Sequence, residues 1–336
     1  MLTLSEYWTD VYDWRRAETA INDAGSYVAN AGEDEIHFLH LRSRHETKRA
    51  IILSHGWPGS ILEFLDAAQC LTNPTAFGRS ASEAFHVVIP SLPGFGFSTA
   101  KRFDWAIQDT AAAWATLMQK LGYTSYFAQG GDWGSAITIA LAQQDPQHCK
   151  AIHLNALWID PSNFIPSELT EDELADLKNL QHFTAKQTSY ARLQALRPQK
   201  IGYALADSPI ALAAWILDLY WTGVDHDGVL EQVVSFDHLI DTVMMYWLPN
   251  AGTSSARFYW KNYDPLDYSV FSGPAGFSRF PGEILSLSKR LTEKRLTNLI
   301  YWNTPSAGGH FAALERPELF AEELYRFADT VEQKTK

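Results

Sequence analysis

Cysteine is scarce in this sequence: of 336 residues, only Cys70 and Cys149 carry a thiol. Two thiols make no disulfide framework, and they read as inert and reduced. Basic residues are also few, 27 Lys and Arg against 39 Asp and Glu, for a net charge of −12. Without a basic stripe the clustered cations that neutralise phosphates are missing, so no nucleic-acid partner is expected. The longest apolar run, Ile210 to Leu217, falls far below the ~20 residues that span a bilayer. The opening Met-Leu-Thr-Leu-Ser-Glu-Tyr-Trp-Thr-Asp lacks the basic leader and apolar stretch of a signal peptide. There is no His-Glu-x-x-His helix, and His37 and His40 fall in strand-like alternation, so no metal is expected. These absences describe a soluble, cytoplasmic chain. What is plentiful is aromatic surface, with 12 Trp, 14 Tyr and 18 Phe. That much bulk fills a large core or lines a roomy apolar pocket.

Short apolar runs alternate with helical stretches. Ile36–Leu41 alternates as a strand, while 50–54, 85–90, 126–129 and 151–154 read as short buried strands. Residues 105–121 and 135–144 have helical composition between them. Such alternation indicates a parallel sheet covered on both faces. From Trp158 to about Tyr263 strand signals vanish, and Pro161, Pro166, Pro198 and Pro209 punctuate helical pieces such as 168–184 and 210–220. Strand signals return near Tyr268–Phe271 and at Leu299–Trp302, and a helix from Pro317 places Phe320, Leu324, Phe327 and Val331 on one face. The expected architecture is a mostly parallel α/β sheet, flanked by helices, with a helical cap (lid) inserted. The expected division is 1–48 as an N-terminal segment wrapping core and cap and leading into the first strands, 49–157 and 264–336 as core, and 158–263 as cap.

The most informative segment is Gly130-Gly131-Asp132-Trp133-Gly134-Ser135, between an apolar strand and a helix. It has the small-x-nucleophile-x-small form of an elbow that presents a catalytic side chain on a cramped strand-to-helix turn. Asp stands where Ser is usual, and a carboxylate attacks a saturated carbon without prior deprotonation. The bland alternative is that Asp132 merely caps the helix. Ser54-His55-Gly56-Trp57-Pro58-Gly59-Ser60 follows the strand 50–53 as an oxyanion-hole loop would, and the amides of Trp57 and Trp133 are two candidate donors. An ordinary Pro-Gly turn is the competing reading there. Near the end, Gly308-Gly309-His310 places a His on a flexible loop, either as a general base or as a surface residue.

These motifs, in this order, resemble the epoxide hydrolases of the α/β-hydrolase fold, specifically the microsomal and juvenile-hormone branch. The resemblance rests on Tyr7–Arg15, Ile36–His40, His55–Ser60, Pro93-Gly94-Phe95-Gly96-Phe97-Ser98, Gly130–Gly134, Ile201–Pro209 and Gly308–Ala313, and covers nearly all the chain. It implies Asp132 as nucleophile, His310 as base and Glu283 as the acid orienting that base. It also implies Tyr190 and Tyr259 as cap tyrosines that hydrogen-bond the epoxide oxygen. Nothing in the residues alone singles out these two tyrosines from 14. The implied partners are a lipophilic epoxide and water, with no metal or organic cofactor. Because membrane-bound members carry an N-terminal anchor and this chain starts inside the N-terminal segment, no membrane anchor is expected; a homodimer is left open.

The implied reaction is ring opening by Asp132 to an ester, followed by hydrolysis to a vicinal diol. A haloalkane dehalogenase uses the same Asp ester, but Trp57 and the paired cap tyrosines favour the epoxide. Halide from a bromoalkane with no diol from styrene oxide would reverse that order. A non-catalytic binding protein of this fold would lack a member of the catalytic set, and every member has a candidate here.

Overall fold

The computed structural model describes residues 1–47 and 49–334. Eight strands among them form one sheet: β1 (Ser26–Ala31), β2 (Asp34–Leu41), β3 (Arg49–Ser54), β4 (Phe85–Pro90), β5 (Tyr126–Gly130), β6 (Cys149–Leu154), β7 (Ala275–Ser278) and β8 (Leu299–Asn303). Their order is β1-β2-β4-β3-β5-β6-β7-β8. From β4 to β8 all neighbours are parallel, whereas β1 and β2 pair antiparallel at one edge. Every residue of β3 and β5 is buried. Their largely apolar character follows from helices covering both faces.

The registers bring the strand ends level. Ser54 lies opposite Gly130, Gly130 opposite Leu154, and Ser278 opposite Asn303. The loops after β3, β5, β7 and β8 therefore all leave from the carboxyl edge of the sheet, where open α/β sheets place their sites.

Two sequence expectations need amendment. Tyr268–Phe271 is not a strand; only Phe271 makes an isolated bridge, to Leu296, and the strand is Ala275–Ser278. Ala-Gly-Phe-Ser carries a weak strand signal, but there Gly276 allows Phe327 of the last helix to pack where a Cβ would stand. The second concerns β1, which the apolar pattern does not announce because it is an outer strand whose residues are all exposed or half-buried. The expected boundary at 48 falls on Lys48, which lies outside the described residues.

Between β6 and β7 run helices only, among them Glu171–Lys186, Ser189–Leu196, Pro198–Asp207, Pro209–Gly223, Phe236–Trp247 and Gly252–Asn262. The N-terminal helices reach this layer: the Tyr7 hydroxyl donates to Asp237 (3.0 Å), the Tyr12 hydroxyl to Asp241 (2.7 Å), and Arg16 pairs with Asp241. Helix 317–334 buries Phe320, Leu324, Phe327 and Val331 as the 3.6-residue periodicity requires. Among the described residues no single helix is long and apolar enough to cross a membrane, and none form a metal-ligating cluster. Cys70 and Cys149 are buried and unpaired.

Four buried histidines should make the fold acid-sensitive. Burial lowers His37, His40 and His55 to about 4 and His153 to about 3. His55 shows why: Nδ1 donates to the Gly56 carbonyl (2.9 Å), so Nε2 must stay unprotonated to accept the Leu92 amide (3.1 Å). Because the folded values lie below the unfolded 6.5, stability is complete above that pH and is lost as pH falls toward the folded values. Each tenfold change in proton affinity is worth about 1.4 kcal/mol. Urea midpoints should therefore fall steadily from pH 6.5 to 4, with a shallower slope in His37→Gln. A midpoint unchanged across that range would contradict the buried-neutral assignment.

Candidate active site

At the end of β5 the chain turns so sharply that Asp132 adopts φ 48°, ψ −130°, a positive φ for a residue with a Cβ. Such backbone carries a strain of about 1–3 kcal/mol, held in place by the surrounding structure. The small neighbours are required. A Cβ on Gly130 would run into the Gly134 carbonyl, and one on Gly134 into the Ser54 carbonyl. Asp132 precedes helix Trp133–Gln144, yet its side chain caps nothing in it. The carboxylate turns instead toward the β3 loop, where the Trp57 amide donates to Oδ1 at 2.9 Å. Gly56 makes that approach possible, since a Cβ there would collide with the Asp132 carboxylate. Of the two expected amide donors, the Trp57 N–H is thus on the carboxylate. The Trp133 N–H opens the helix beside it without a hydrogen bond to it.

The expected base, His310, and its expected acid partner, Glu283, sit on the loops after β8 and β7. These loops are zipped together, with the Gly282 amide donating to the Gly308 carbonyl (2.9 Å). That register sets His310 beside Glu283: Nδ1 lies 2.9 and 3.1 Å from the two carboxylate oxygens. An Nδ1–H donated to Glu283 leaves Nε2 directed at Asp132, 3.7 Å from Oδ2. That is too long for a hydrogen bond and short enough for strong electrostatic coupling. Burial disfavours the His310 cation, but the Glu283 and Asp132 carboxylates outweigh it and hold the imidazole well above its ordinary value.

The His loop is also tied to the helical layer between β6 and β7. The His310 amide donates to the Gly223 carbonyl (2.7 Å) and the Gly308 amide to Asp225 (2.9 Å). Glu315 accepts the amides of Asp225, Gly309 and Phe311 at 2.8–2.9 Å. Its burial raises it to about 7 despite those three donors. Sequence reasoning did not single out Glu315. Its spacing of five from His310 offered a faint signal, because a carboxylate there can fold back on the loop's own amides.

Tyr190 opens helix Ser189–Leu196 and Tyr259 lies in helix Gly252–Asn262; both are buried. They meet over the elbow. Tyr190 stacks on Trp57 with centroids 5.0 Å apart and planes at 17°, and Tyr259 stands edge-on to Trp133 at 5.0 Å. Their own rings are 6.0 Å apart. Burial first, then for Tyr190 the Asp132 charge, raises both phenols, so each remains a hydrogen-bond donor at any working pH. All seven expected residues, Asp132, His310, Glu283, Tyr190, Tyr259, Trp57 and Trp133, therefore gather at one place. Sequence reasoning missed Glu63, which joins Asp132 and His310 in lining a small cavity there.

A family model of the alpha/beta hydrolase fold matches residues 49–195, and one described as the epoxide hydrolase N terminus matches residues 1–64. The sheet order and the elbow are accordingly those of an α/β hydrolase. A Stigmatella aurantiaca protein assigned to the epoxide hydrolases is 47% identical over 327 residues, covering 96% of this chain and 73% of its own. Epoxide hydrolase 1 of Sus scrofa is 33% identical, over 98% of this chain and 79% of that enzyme. The juvenile hormone epoxide hydrolase of Bombyx mori superposes with a TM-score of 0.89 at 28% identity, over 99% of this chain and 85% of the other. The chain belongs to the epoxide hydrolase family, and it is an epoxide hydrolase by that membership.

Proposed function

We propose that this enzyme converts a lipophilic epoxide and water to a vicinal diol through an ester on Asp132. The observation that carries the reading is a carboxylate on a strained, positive-φ turn. It lies against the Trp57 amide, where the Tyr190–Tyr259 ring pair packs on Trp57 and Trp133, with a Glu283-held imidazole 3.7 Å from its Oδ2. In this reading residues 158–263 serve as the cap, 49–157 and 264–336 as the core, and 1–48 as the segment that straps both.

An epoxide carbon is electrophilic, but its leaving alkoxide is poor. Tyr190 and Tyr259 strengthen their hydrogen bonds as charge develops on that oxygen, which lowers the barrier to ring opening. Asp132 attacks the carbon from the opposite side and becomes an ester. The alkoxide takes a phenol proton, and the His310 imidazolium restores it. Esterification also removes one of the two negative charges that hold His310 protonated. His310 is thus left neutral, with Nε2 free as a base, at the stage that needs one. It then takes a proton from water, whose oxygen attacks the Asp132 carbonyl carbon. The Trp57 and Trp133 amides stabilise the oxyanion, the diol leaves, and the Asp132 carboxylate and imidazolium are regenerated. The aromatic lining favours apolar substituents on the substrate.

One turnover of styrene oxide by excess enzyme in heavy-oxygen water tests the route. The diol should contain no heavy oxygen, and the label should appear in the peptide carrying Asp132. Heavy oxygen in the first-turnover diol would mean direct attack by water and no ester.

A further inference from the structure

Hydrolysis of the ester uses one water, and so far only His310 acts on it. The cavity between the elbow and the His loop is about 20 Å³ and is lined by Asp132, His310, Gly59 and Glu63 among others. One water needs about that much room, together with 2–4 polar partners. A single imidazole nitrogen can take one of its protons but leaves the other free to swing, and with it the lone pair that must face the ester carbonyl. Glu63 supplies a further polar group on the same wall. It sits in the short turn Ile61–Phe64, capped by the Ser60 hydroxyl, whose buried Ile61 and Phe64 anchor the turn in the core. Its carboxyl occupies the place where a side chain on Gly59 would stand, so Gly59 leaves the opening that lets Glu63 reach the cavity.

We propose that Glu63 is a water-positioning residue: its carboxyl oxygen accepts the second O–H of the hydrolytic water while His310 accepts the first. The water's lone pair is thereby aimed at the Asp132 ester. Burial raises Glu63 to about 8, against the opposing influence of His310, so its carboxyl is largely neutral at pH 7. A neutral acid here suits the task, since it keeps an acceptor oxygen without restoring beside His310 the negative charge that esterification of Asp132 removes.

The proposal rests on the ester reading, and separate rate constants for ester formation and decay distinguish the two. Stopped-flow tryptophan fluorescence with styrene oxide, supported by intact-protein mass, measures both steps. In Glu63→Leu, ester decay should slow by roughly 10–100-fold, the loss of one hydrogen bond to a reacting water. Ester formation should change by less than about 3-fold, so the ester accumulates and KM falls together with kcat. Glu63→Gln keeps an acceptor oxygen and should recover most of the decay rate. Gly59→Ala leaves Glu63 in the sequence but displaces its carboxyl, and should reproduce the slow decay. Equal slowing of both steps, or wild-type decay in Glu63→Leu and Gly59→Ala, would overturn the assignment. If no ester forms in the wild-type enzyme, the covalent route itself falls.

Discussion

Replacing His310 with alanine should leave an enzyme that accepts one substrate molecule and keeps it. Ester formation needs the Asp132 carboxylate and the two phenols, none of which His310→Ala removes, and solvent can return the proton that the imidazolium would have supplied. Hydrolysis is different. Water must lose a proton as it attacks, and once Asp132 is an ester the neutral His310 Nε2, 3.7 Å from Oδ2 before reaction, is placed to take it. A general base of this kind is worth ~10²–10⁴-fold, and steady-state diol formation should drop by that factor. The protein mass should rise by one epoxide, with the increment on the peptide containing Asp132. Glu283→Gln should fall between His310→Ala and the wild type. It keeps a group beside Nδ1, but loses the charge that stabilises the imidazolium formed during hydrolysis. An unmodified His310→Ala protein after long exposure to styrene oxide would show that the ester does not form or that another group hydrolyses it.

How much of this site was readable before the fold was known depends on the kind of signal each residue carries. Asp132 announced itself because its neighbours must be small, and the collisions waiting at Gly130 and Gly134 are the physical source of that pattern. The strands β3 to β6 were legible because a covered parallel strand has to be largely apolar, and the antiparallel β2 through its alternation. β7 was displaced by several residues, since Ala-Gly-Phe-Ser is a strand only by virtue of its neighbours and of Phe327 packing on Gly276. Tyr190, Tyr259 and Glu283 were found through the resemblance alone. A buried phenol in a helix looks the same in sequence whether it packs or donates, and Glu283 meets His310, 27 residues further on, only because backbone pairing of Gly282 with Gly308 closes the loops. Glu63 and Glu315 were invisible for a related reason. A glutamate acquires a role when burial changes its charge and when amides or a cavity meet its oxygens, and neither condition is written locally.

Removing both phenolic hydroxyls should produce the complementary defect, an enzyme that cannot open the ring. Tyr190 and Tyr259 come from different cap helices, yet both face the elbow, so either can donate to the same developing alkoxide. With one hydroxyl gone the other still donates, and each single Phe variant should lose only part of the rate. With both gone the negative charge loses both phenol donors. Losing one donor to a developing oxyanion costs roughly 10²–10³-fold in other enzymes, and the double variant should lose at least that much in the rate of ester formation. The rings remain, including the stack of residue 190 on Trp57 and the edge contact of residue 259 with Trp133, so the folded state should change little in melting temperature. Hydrolysis of any ester that does form should proceed at the normal rate, because that step depends on the opposite side of Asp132. Opposite blocks in the His310 and double-tyrosine variants would divide the reaction at the ester. Near-normal ester formation in the double Phe variant would remove the two tyrosines from it.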